Sequence, residues 1–155
     1  MKHYKDVLNN IYAYESDGSQ DAFIKEGLVP ISDEDLAAMI APTTEQLLSQ
    51  LSAARKEQER QGVTINGIRY AGDPGNRQAL QEAIALMDDA GLTEFESWKD
   101  SDNIFHANHP LADVRDAYRA IGARRSQLIA AEGEYAAQII AGILTDLTET
   151  EVVWP

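Results

Sequence analysis

The spacing of apolar residues changes several times along this chain, and each change marks an element. From residue 44 the step is three and four. Leu47, Leu48, Leu51 and Ala54 share one helical face, and Thr43 with Gln46 forms a capping box ahead of it. Past Ala54 that face turns polar through Arg55, Lys56, Glu57 and Gln58, and Gly62 ends the helix, predicted over 44–61. The step then becomes two. Val63-Thr64-Ile65-Asn66-Gly67-Ile68-Arg69-Tyr70 places Asn-Gly between two β-rich triplets, the signature of a two-residue type I′ hairpin. Val63, Ile65, Ile68 and Tyr70 then share a buried face. Asp73 as N-cap and Pro74 in the first turn open a second helix. It runs to about Ala90 with Leu80, Ala83, Ile84 and Met87 inward, and Gly91 closes it.

The same order repeats. Phe95-Glu96-Ser97-Trp98-Lys99 pairs with Ile104-Phe105-His106-Ala107 across an Asp100-Ser101-Asp102-Asn103 turn, and the two hairpins are expected to join into one small antiparallel sheet. Asn108-His109-Pro110 starts the last helix, predicted over 110–141 and roughly 45 Å long at 1.5 Å per residue. Its apolar seam is Leu111, Val114, Tyr118, Ile121, Arg125, Leu128, Glu132, Tyr135 and Ile139, a coiled-coil spacing that charge interrupts twice. Two readings stand: a long core helix whose end overhangs, or a self-association seam in which Arg125 and Glu132 set register.

The flanks differ from this module. Residues 1–43 read as an extended arm with one short helix. Val7, Leu8, Ile11, Tyr12 and Tyr14 form one sticky stretch, Asp17-Gly18 makes a turn, Phe23, Ile24, Leu28, Val29 and Ile31 form a second apolar patch, and Ser32 caps a helix from Asp33 to Ile40 that Pro42 closes. Residues 143–155 form a short tail ending in Val153-Trp154-Pro155, whose tryptophan must fold back or bind something. The chain is therefore expected to be an α+β module, helix–hairpin–helix–hairpin–long helix over 44–142, with an N-terminal arm and a C-terminal tail. Aromatic residues at the flanks mark either contact surfaces or ends folded over the module's own core.

The formal charge of −13 adds exclusions. Lys and Arg are scattered apart from Arg124-Arg125, so no stripe exists to neutralise phosphates, and neither nucleic acid nor an anionic membrane suits as partner. No window approaches the ~20 apolar residues of a spanning helix. The first residues carry lysines without an apolar run behind them, unlike a signal peptide. Cysteine is absent, which removes disulfides and thiolate chemistry.

Candidate chemistry is sparse. His106 and His109, three apart, could join Asp102 in a weak metal site, but no fourth ligand lies nearby. The plain alternative is that His106 flanks a strand and His109 helps cap the helix. Gly72-Asp73-Pro74-Gly75-Asn76 precedes a helix but lacks the lysine and spacing of a phosphate loop. Asp113 and Asp116 suit a helix start. No catalytic constellation and no cofactor emerges.

The run from Gly62 to Tyr70, followed by Gly72-Asp73-Pro74-Gly75-Asn76-Arg77-Gln78-Ala79-Leu80, resembles a family of tailed-phage and prophage domains of unknown function. The Phe95 to Trp98 segment, Asp102-Asn103 and the long final helix match its layout, and the resemblance covers about 47–141. Ile11-Tyr12-Ala13-Tyr14-Glu15-Ser16-Asp17-Gly18-Ser19-Gln20-Asp21, followed by Gly27-Leu28-Val29-Pro30-Ile31-Ser32, is similar to the start of tail-fibre and tail-fibre-assembly proteins. Trp154-Pro155 is similar to the ends of some assembly chaperones. The resemblance implies a non-enzymatic tail component, located in the virion tail and assembled in the bacterial host cytoplasm, with other tail or fibre proteins and copies of itself as partners. A fibre-assembly chaperone, and a small metal-dependent binder or enzyme using His106 and His109, are the alternatives. The expected contact residues are Tyr4, Ile11, Tyr12, Tyr14, Phe23, Tyr118, Ile121, Arg125, Leu128, Glu132, Tyr135, Ile139 and Trp154.

Overall fold

The computed structural model describes residues 1–147 and 152–155. The chain divides into two compact units, Met1–Pro42 and Thr43–Pro155. Helices and small antiparallel sheets make the protein an α+β fold.

In the first unit, β1 (Lys2–Lys5), β2 (Ile11–Tyr14) and β3 (Val29–Ile31) form an antiparallel sheet in the order β2-β1-β3, and α1 (Asp33–Ile40) follows. The segment is thus a folded sheet where the sequence suggested an extended arm. The reason is local. The Asp6 carboxylate accepts from the backbone N–H groups of Leu8 (2.8 Å) and Asn10 (2.9 Å), and Asn9 adopts the left-handed region at φ 62°. That turn brings Lys-His-Tyr-Lys, a polar terminus by composition, alongside Ile-Tyr-Ala-Tyr. Ser32 caps α1 by accepting from the Asp35 N–H at 3.0 Å.

The second unit opens with α2 (Thr44–Gln61), whose Thr43–Gln46 capping box is complete in both directions. β4 (Val63–Ile65) and β5 (Ile68–Tyr70) form the first hairpin. Asn66 (φ 50°) and Gly67 (φ 81°) both take the positive φ that a type I′ turn requires. At the base of this hairpin the backbone of α2 passes hard against β5. A Cβ on Gly62 would overlap the Tyr70 carbonyl oxygen, and one on Gly72 would overlap the Glu59 carbonyl. α3 (Pro74–Ala90) is capped by Asp73, which accepts from the N–H groups of Gly75 and Asn76, and Gly91 ends it at φ 64°.

β6 (Glu94–Lys99) and β7 (Phe105–Pro110) make the second hairpin. The two hairpins do not join into one sheet; each remains a two-stranded ladder. The turn of the second docks on the end of the first instead. Ser101 N–H donates to the Arg69 carbonyl (3.2 Å), Ala71 N–H donates to Ser101 Oγ (2.7 Å), and the Arg69 guanidinium holds Asp102 at 2.8 Å. A turn lacks the extended backbone that a ladder needs.

α4 (Leu111–Ile140) carries two apolar clusters. Near its start, Val114, Ala117 and Ile121 pack with Tyr70 and Leu80, against Val63, Ile65, Ile68, Phe95 and Trp98. Near its end, Ile139 packs with Leu47, Leu51 and Leu144, covered by Tyr135 and Trp154. Since the start of α2 meets the end of α4, these helices run antiparallel. The seam of α4 is therefore covered within the chain, by the hairpins and α3 near its start and by α2 towards its end. Ile121, Leu128 and Ile139 are interior, at 3%, 0% and 3% exposure, and cannot form a contact seam with another molecule. Among the described residues, no helix is long and apolar enough to cross a membrane.

Candidate functional site

The densest set of chemically capable side chains lies where the two hairpins meet. Tyr70 ends β5 inward, and its hydroxyl shares a 2.6 Å hydrogen bond with Nε2 of His109. Trp98 stacks on the His109 ring, with centroids 5.5 Å apart and planes at 24°. His106 lies 6.0 Å from His109, and its Nε2 meets Asp100 Oδ2 at 2.8 Å. In a regular strand, residues three apart face opposite sides. Asn108, at φ 50°, interrupts that alternation and brings both imidazoles to one cluster.

Burial sets the electrostatics. It pushes the Tyr70 hydroxyl up to about 12, with the Asp113 and Asp100 charges adding to it. Burial also depresses His109, against a smaller upward pull from Asp113, so this ring is neutral near pH 7. Asp100 is held low, first by the hydrogen bond from His106 and then by the Ile104 N–H. Tyr70 and His109, and His106 and Asp100, thus serve each other, while the Trp98 indole N–H is buried without a hydrogen-bond partner among the described residues. His109 does not cap α4, whose N-cap is Pro110 without a side-chain bond. Among the described residues, no three His, Asp or Glu side chains are grouped to hold a metal ion. Beside the cluster opens a cleft of about 140 Å³ lined by Arg69, Tyr70, Trp98, Lys99, Asp100 and Ser101 among others. Neither imidazole lines it; the cleft meets the cluster through Tyr70, Trp98 and Asp100, the first and last of which are the hydrogen-bond partners of His109 and His106.

A second polar cluster separates the two apolar ones. Glu59, 8% exposed, receives Arg55, Arg125 (3.3 Å) and Arg77 (3.4 Å), and Arg55 also meets Glu132. The charges that interrupt the α4 seam therefore answer charges in α2, and their register is set within the chain. Glu59 was not legible as a site. Its signal was the Arg55–Glu59 spacing of four on α2, complementary to Arg125 and Glu132 spaced seven on α4.

The remaining expected contact residues separate by unit. In the first, Tyr4 and Tyr14 meet edge to face at 5.7 Å, and Tyr12 donates to Asp6 at 3.1 Å. Ile11 is 39% exposed and Phe23 73%. In the second, Tyr118 packs half-buried on the first cluster. The Tyr135 hydroxyl donates to the Val153 carbonyl (3.0 Å) and accepts from its N–H (2.9 Å), and Trp154 meets the Tyr135 ring at 6.0 Å. The terminal tryptophan thus folds back.

The sequence model of one family, described as Domain of unknown function (DUF4376), matches residues 42–153. The chain belongs to this family. The DUF4376 domain coincides with the second unit and includes both apolar clusters, the Glu59 cluster and the Tyr70–His109 cluster. The first unit, up to residue 41, lies outside the matched stretch. No curated protein and no solved structure matches the chain.

Proposed function

We propose that this protein works by binding other proteins, as a non-enzymatic component of a bacteriophage tail associated with the tail or its fibres. The observation that carries the assembly reading is the placement of large apolar side chains in water on both units. Val7, Leu8 and Phe23 are 91%, 79% and 73% exposed in the first unit. Ile140 and Ile143 are 70% and 74% exposed at the end of the long helix in the second. Burial of these side chains against another chain would remove that apolar surface from water and favour association. The tail assignment rests on the resemblance of the Gly62 to Leu80 run and of the Ile11 to Ser32 leader to phage tail and fibre-assembly proteins.

The test pairs the mass of the purified chain in solution, by light scattering, with mass spectrometry of purified virions from a phage encoding it. The expected result is an oligomer, or a stable complex with a tail or fibre protein, and the chain present in the virion. A monomer that captures no tail protein overturns the assembly reading. A complex with fibre chains in the host cytoplasm but absence from the virion replaces the tail component with an assembly chaperone.

A further inference from the structure

The first unit is a fold without an interior. Not one residue of 1–42 is buried, although the unit has a three-stranded sheet and a helix. Domains near ~40 residues ordinarily need disulfides, a metal or association to be stable. Cysteine is absent, and the described residues group no metal ligands.

The sheet shows where a partner strand adds. Asp6 N–H donates to the Asn10 carbonyl at 3.1 Å, closing the β1–β2 hairpin. Antiparallel pairs alternate, so Tyr4↔Tyr12 and Lys2↔Tyr14 exchange main-chain bonds. The N–H and C=O groups of Ile11 and Ala13 therefore point away from β1, along the open edge of β2. The opposite edge is different. Pro30 stands opposite Tyr4, whose main-chain groups are already turned to β2. The Pro30 nitrogen thus lies on the outer side of β3, where it removes a donor and blunts pairing. Ile-Tyr-Ala-Tyr itself contains no proline and no charged residue, and Lys25 lies over the face of the Tyr12 ring at 5.4 Å.

Charge selects the occupant. Residues 1–42 hold eight carboxylates against three lysines, and Lys2 is bound to Asp21 at 2.7 Å. A second copy presents the same negative unit and is repelled. A positively charged chain is attracted.

We propose that the first unit is a docking element whose β2 edge takes an extended segment of a basic partner protein as a fourth strand. This rests on the assembly reading above and names the partner's chemistry. Main-chain bonds to Ile11 and Ala13 hold the segment, and the carboxylates of the unit select its lysines or arginines.

The experiment uses the full chain and two fluorescein-labelled synthetic peptides, one of alternating Lys-Val and one of alternating Glu-Val. Anisotropy titrations at about 50 and 300 mM salt are combined with amide exchange by NMR. The Lys-Val peptide is expected to bind at least about tenfold tighter than the Glu-Val peptide, to weaken with salt, and to slow exchange at Ile11 and Ala13. Ala13→Pro removes a donor that the native sheet does not use, and should abolish binding of the Lys-Val peptide. If that variant misfolds, Ala13→Lys, which leaves the backbone donor in place, should weaken the Lys-Val peptide and not the Glu-Val one. Equal affinities, unchanged exchange at Ile11 and Ala13, or indifference to Ala13→Lys overturns the proposal. Protection of these two amides in the free protein by dimerisation overturns it in favour of a second copy. Association seen by light scattering without peptide binding rejects this edge alone and leaves the assembly reading intact.

Discussion

Gly67 and Gly62 both have positive φ, but they serve different physical ends. Nothing lies within 4 Å of a Cβ built on Gly67, so its glycine answers only to the type I′ backbone. Gly67→Val should lower stability by about 1–2 kcal/mol, the cost of a left-handed L-residue. Urea unfolding checks it, and an unchanged midpoint would count against the turn. Gly62→Ala meets the Tyr70 carbonyl as well, and should shift the midpoint further. Tyr70→Phe leaves the buried His109 Nε2 without its partner, and should cost about 1–3 kcal/mol in the same assay. His109 also predicts a pH dependence. Its folded value lies below the ordinary ~6.5. Between the two, the unfolded chain binds the extra proton, so stability is complete above about 6.5 and falls as the pH drops toward the folded value. His109→Gln should flatten the unfolding free energy over that window. Asp100, held low by His106, adds a separate loss in the more acid range as it is protonated.

At the scale of elements, α2 and α4 are matched by charge as well as by apolar spacing. Glu59 is shared by Arg55, Arg77 and Arg125, which join α2, α3 and α4 at one point. Glu59→Ala leaves these arginines facing one another with the carboxylate gone. It should destabilise the second unit by about 3–5 kcal/mol, as for other broken buried pairs. Chemical denaturation with a probe on α4 measures it. A loss no larger than that of an exposed pair would show that water reaches the cluster. The sequence displayed Arg125 and Glu132 as breaks in an apolar seam, which fits both a core helix and an oligomer seam. Their partners on α2, some 70 residues away, decide for the former.

The molecule as a whole consists of one unit with a double core and one with none. The second apolar cluster is closed by the end of the chain, through Trp154 against Tyr135. Trp154→Ala should lower the melting temperature of the second unit, with a loss of about 1–3 kcal/mol for the aromatic surface uncovered. Tryptophan fluorescence and calorimetry read it. If Trp154 served an external partner alone, the melting temperature would not move.

What the sequence determined by itself was local. Asn66-Gly67, the Thr43–Gln46 box, Asp73-Pro74 and Gly91 each act through their own backbone, so hairpin, helix starts and helix end were legible. The α+β class followed from the alternation of periods two and 3.6. What only the tertiary structure decided involves residues far apart in the chain. The Asp6 turn that pairs Lys-His-Tyr-Lys with Ile-Tyr-Ala-Tyr is local, but the segment becomes a central strand only because the distant β3 returns to its other side. The two histidines acquire Tyr70 and Asp100 through packing and a left-handed Asn108. The seam of α4 is buried because the hairpins and α3 cover its start and α2, with complementary charges, covers the rest. Periodicity states which face of a helix is apolar; the partner that covers that face belongs to the fold.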